Sequence, residues 1–68
     1  MLTAYRQSIN SLKFHGVPYR TFINADSDMV IRYNEYGDDY TEEVYSPVGT
    51  LIRVIDVEDG NTHIQGEL

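Results

Sequence analysis

His15-Gly16-Val17-Pro18-Tyr19-Arg20-Thr21-Phe22-Ile23 is the stretch across which the apolar period of this chain changes. On its N-terminal side Leu2, Tyr5, Ile9 and Leu12 recur at helical spacing, with Phe14 near the end. Arg6, Gln7, Asn10 and Lys13 fall largely on the other side. The pattern predicts an amphipathic helix of about three turns over Thr3 to His15, with Thr3 as its N-cap. Gly16 suits the left-handed position just past a helix end, Val17 the apolar contact that accompanies it, and Pro18 cannot continue a helix. On the C-terminal side the period is two. Tyr19, Thr21 and Ile23 alternate with Arg20 and Phe22, which reads as a first strand.

Further strands follow. Asn24-Ala25-Asp26-Ser27-Asp28 is turn-rich. Met29, Ile31 and Tyr33 then alternate with Val30, Arg32 and Asn34 as a second strand, and Glu35 to Asp39 turn around Gly37. Tyr40 to Tyr45 is a third, more polar strand, expected near an edge. Ser46-Pro47-Val48-Gly49 has the preferences of a type I turn. Thr50 to Val57 is the strongest strand; its apolar residues on both faces suggest a central or doubly covered position. Glu58-Asp59-Gly60-Asn61 signals a tight turn before a short last strand, Thr62 to Gly66.

The simplest architecture is α+β: an N-terminal amphipathic helix packed on a four- or five-stranded antiparallel β-meander. The alternative is a small SH3-like β-barrel from residues 18–66 with the helix as an appendage. Leu12, Phe22, Ile31, Leu51, Val54 and Ile55 are the leading core candidates. The 68 residues make one domain, 1–68. A chain this short buries only about 60% of the surface it exposes when unfolded. With no cysteine it has neither disulfides nor thiolate zinc sites. No segment approaches the roughly 20 apolar residues that span a bilayer, and the start lacks the pattern of a signal peptide. These features read as a cytoplasmic protein, in the host cytoplasm if phage-encoded.

Charge is unevenly placed. Residues 1–25 hold Arg6, Lys13 and Arg20 and no acid, whereas residues 26–68 hold all eleven acids with only Arg32 and Arg53. The two parts carry +3 and −9, a net −6. Direct binding to nucleic acid is disfavoured, because phosphate contacts need clustered Lys or Arg. A basic surface on a partner is favoured.

Glu35-Tyr36-Gly37-Asp38-Asp39-Tyr40-Thr41-Glu42-Glu43 places five carboxylates within nine residues and no base among them. In a meander, alternate turns lie at the same end of the sheet, and strands are about 4.8 Å apart. The turn around Asp38 should therefore lie roughly 10 Å from the one at Asp56–Asn61. The expected partner-binding set is Glu35, Tyr36, Asp38, Asp39, Tyr40, Glu42, Glu43, Asp56, Glu58 and Asp59. Such a rim can imitate a row of phosphates, and its tyrosines add flat contact area. The competing reading is a solvated face that keeps a small protein soluble.

Other motifs are weak. Asn24, Asp26, Asp28 and Glu35 match positions 1, 3, 5 and 12 of a calcium loop, but Met29 stands where that loop requires glycine, so a hairpin turn is expected. His15 and His63 lack motif partners and read as structural. Ser8, Ser11, Ser27 and Ser46 lie in no nucleophile motif. No enzymatic activity, cofactor or metal is expected. The helix stripe reads as core, with pairing to a second copy as the alternative, so a homodimer is possible.

In size, acidity and lack of cysteine the chain resembles phage-encoded inhibitors of host defence, including anti-CRISPR proteins, and antitoxins that cover a basic toxin. The resemblance is one of class, without a local motif, and carries over no residue. It implies an inhibitor or regulator whose partner is a basic protein surface, that of a nucleic-acid-binding protein. The rival is an SH3-like accessory module of a larger complex.

Overall fold

A computed structural model describes residues 2–66. Helix α1 runs Ala4–Phe14 between the caps Thr3 and His15. The Thr3 hydroxyl accepts from the Arg6 amide at 3.2 Å, satisfying one of the free donors of the first turn. At the other end Gly16 has φ 68°. Its amide bonds back to the Lys13 carbonyl at 3.1 Å and that of Val17 to Leu12 at 2.9 Å. These paired back-bonds satisfy two otherwise orphaned carbonyls, and Pro18 then directs the chain away.

Five strands follow: β1 Tyr19–Ile23, β2 Met29–Tyr36, β3 Asp39–Tyr45, β4 Leu51–Glu58 and β5 Asn61–Gln65. They form one antiparallel sheet in the order β1-β2-β3-β4-β5. This is the expected helix on a five-stranded meander. The sheet is open among the described residues, with β1 and β5 as its two edges, so the SH3-like barrel does not form. Turn chemistry explains the registers. Gly37 at φ 60° suits the first central position of the two-residue β2–β3 turn, and Asp59 (52°) and Gly60 (81°) make the β4–β5 turn. A bulge at Asn34, φ 55°, lies between the Tyr33↔Thr41 and Tyr36↔Asp39 pairs.

The 24–28 segment is the β1–β2 hairpin turn. The Asn24 side-chain oxygen accepts from the amides of Asp26 at 2.9 Å and Asp28 at 3.0 Å. It therefore serves the backbone, while Glu35 lies at the far end of β2.

The helix lies on one face of the sheet. There the Tyr5 and Tyr45 rings meet edge to face, 5.4 Å apart, and the Ser8 hydroxyl donates to Glu43. The β3–β4 turn holds the start of the helix. The Tyr5 amide donates to the Gly49 carbonyl at 3.1 Å, and the Gly49 amide closes its own turn on Ser46 at 2.9 Å.

Two expectations are corrected. Strand β3 is the centre of the sheet rather than near an edge; its polar side chains are matched by residues that the register places beside them. The buried core is Val30, Ile31, Val44 and Tyr45. Of the expected set only Ile31 belongs to it; Leu12, Val54 and Ile55 are half-buried, and Phe22 and Leu51 are exposed. On the face away from the helix, Val30 and Val44 sit mid-row between Phe22 and Arg53. Central strands have cross-strand neighbours on both sides, which cover short side chains there.

A candidate anionic groove at the two-turn end of the sheet

The meander brings the β2–β3 and β4–β5 turns to one end of the sheet. Asp39, which opens β3 beside the first turn, ties the two together: its Oδ1 accepts from the Asp59 amide at 3.1 Å. Beside this junction lies a shallow groove of about 710 Å³. Asp39, Asp56, Glu58 and Asp59 line it, with Tyr36 and Tyr40 among the other lining residues and no Lys or Arg. Asp38 stands exposed at the turn tip outside the lining. The Thr41 hydroxyl donates to Asp56 Oδ1 at 2.8 Å and orients that carboxylate. Tyr36 is 84% exposed, so its ring is free contact area.

Glu35, Glu42 and Glu43, the remaining acids of the expected rim, have partners within the fold. Arg20 grips Glu35 along one guanidinium edge, Nε donating to Oε2 at 2.9 Å and Nη2 to Oε1 at 2.7 Å. This geometry holds the carboxyl below its ordinary range and the guanidinium above its own. The pair is exposed, so water screens most of its energy. Arg32 donates to Glu42 through Nε at 2.8 Å and through Nη2. The same guanidinium lies 4.2 Å from the Tyr40 ring centre and 5.4 Å from that of Phe22, so the ion pair is packed against aromatic surface.

Glu43 faces the helix. It accepts from Ser8 of α1, from Tyr33 at 2.6 Å and from Tyr45 at 2.6 Å. Burial first, and then the bond to this carboxylate, pushes the Tyr45 hydroxyl up to about 12 and raises that of Tyr33 as well.

Asn34, Asn61 and His63 also line the groove and were not expected there. His63 pairs across strands with Asp56. The two-residue period of β4 and β5 contains that signal once the Asp59-Gly60 turn sets the register. Among the described residues no three His, Asp or Glu side chains converge as a metal would need, and no helix is long and apolar enough to cross a membrane. No family model, curated protein or solved structure matches the chain.

Proposed function

We propose that the protein is a non-enzymatic inhibitor or regulator that docks its anionic groove on a basic protein surface, that of a nucleic-acid-binding protein. The observation that carries this reading is the contrast among its acids. Glu35, Glu42 and Glu43 have partners inside the fold, while Asp39, Asp56, Glu58 and Asp59 share one groove without a Lys or Arg in its wall. Adjacent uncompensated carboxylates repel one another, and an opposing cationic surface relieves that repulsion. Tyr36, 84% exposed, flanks the charges and would supply the contact that salt does not screen. The class resemblance to phage-encoded anti-defence proteins and antitoxins points the same way, since covering a basic site is how such an acidic chain would act.

Charge reversal of Asp38→Lys with Glu58→Lys tests it. Neither side chain donates or accepts in a turn bond that the fold depends on, whereas Asp39 does. Against a partner captured by the wild-type chain and identified by mass, the double variant should keep its fold and bind at least tenfold more weakly, roughly the loss of one or two rim charges. Association should slow more than dissociation quickens. Wild-type affinity should fall as salt rises from about 0.05 to 0.5 M, where the screening length shrinks from over 10 Å to under 5 Å. Tyr36→Ala should chiefly raise the dissociation rate. Unchanged affinity in the double variant would reduce the groove to a solubilising face.

A further inference from the structure

Strand β5 is an edge whose five residues are all exposed, and Asn61-Thr62-His63-Ile64-Gln65 contains no Asp, Glu, Lys, Arg or Pro. Edge strands normally carry such residues because their unpaired backbone groups invite another strand. The opposite edge, β1, has them: Pro18 precedes it and Arg20 lies within it. The β4–β5 turn also determines which backbone groups of β5 are free. A two-residue turn with both central φ positive closes on a hydrogen-bonded pair, here Glu58↔Asn61. Bonded and non-bonded pairs then alternate, so Asp56↔His63 and Val54↔Gln65 are bonded inward. Thr62 and Ile64 fall in the intervening pairs, and their N–H and C=O groups point outward from the sheet.

We infer that this edge pairs with β5 of a second copy of the chain, antiparallel, with His63 facing His63 across a two-fold axis. This register matches the outward groups: Thr62 opposes Ile64 of the second copy and Ile64 opposes its Thr62, each pair exchanging both backbone bonds. It also pairs the strand along its whole length, Asn61 against Gln65. A strand without charge lets two chains of net −6 meet without repulsion along the seam itself. The contact is isologous, so it closes at two copies instead of growing into a fibre. Ile64, 55% exposed, gains the Thr62 side chain of the second copy beside it. On the other face, where Asn61 and His63 line the anionic groove, the second copy adds its own His63 and Gln65, so the two grooves run together across the seam. The inference rests on strand geometry and is independent of the charge-docking reading.

Sedimentation of the wild-type chain from micromolar to about 0.5 mM should show a monomer–dimer equilibrium, as expected for a short, transient interface. The chain has no cysteine, so single cysteines report the register. Facing residues of a non-bonded pair are about 4.5 Å apart at Cα, within disulfide reach. His63→Cys should therefore give a covalent dimer with oxidised glutathione. Ile64→Cys should not, because its copies lie two residues out of step, about 7–8 Å apart. Thr62→Pro removes an outward amide and no β4 bond, and should raise the dimer dissociation constant about tenfold or more. A wild-type chain that stays monomeric at about 0.5 mM, or crosslinking through position 64 in preference to 63, would overturn the proposal. So would a folded Thr62→Pro chain that dimerises as tightly as wild type.

Discussion

Glu43 shows how much one side chain's role depends on the neighbours that the fold brings to it. In the chain it ends an acidic run and looks like part of a rim. In the fold it accepts from Ser8, Tyr33 and Tyr45, contributed by α1, β2 and β3. Glu43→Gln keeps the shape, but its amide carries donors where the site needs acceptors. It should cost about 1–3 kcal/mol in urea unfolding. The same cluster sets an alkaline limit. Tyr45 titrates at about 12 in the fold, against about 10 in an unfolded chain. Between those values the unfolded state loses a proton that the folded state keeps, so stability falls as pH rises. Its contribution is full below about pH 10 and lost by about 12. Tyr45→Phe should flatten that decline in urea titrations run across this range; an equally steep fall would assign it to other groups.

Among the elements, the helix was legible to its caps, because capping and Schellman bonds are local and their residues adjacent. Strand β3 was misread, since polarity marks an edge only when the polar groups face water. Here Arg32 and the Tyr33 hydroxyl come from the neighbouring strand to meet Glu42 and Glu43. The docking of the helix start was not legible either. It depends on Gly49, at φ 91°, where an added Cβ would lie 2.7 Å from the Thr3 Cβ. Gly49→Ala should combine backbone strain of about 1–3 kcal/mol with displacement of the N-cap. Gly37→Ala, at φ 60° with no atom near its added Cβ, carries backbone strain alone. The urea midpoint should therefore fall further for Gly49→Ala than for Gly37→Ala. Equal shifts would mean that the turn does not clamp the helix.

At the scale of the molecule, the imbalance between the basic first third and the acidic remainder could be read directly, because summing charge requires no fold. The meeting of the two turns followed from meander order alone. Which acids would stay uncompensated could not be read, because that depends on register, and register on a bulge at Asn34 and on the turn types. The same order also governs how the chain reaches its structure in time. Every strand pairs with its immediate successor, so each pairing closes a short loop and little entropy is lost before contacts form. Most sheets of five strands must wait for segments far apart in sequence to meet; this one can grow hairpin by hairpin from any turn. Stopped-flow refolding of briefly unfolded chains, before the bonds to Pro18 and Pro47 isomerise, should be single-exponential and complete within roughly milliseconds, at the fast end for sheet proteins. A phase lasting seconds in such briefly unfolded chains would mean that docking of α1 on the Gly49 turn, which joins residues 44 positions apart, limits the rate.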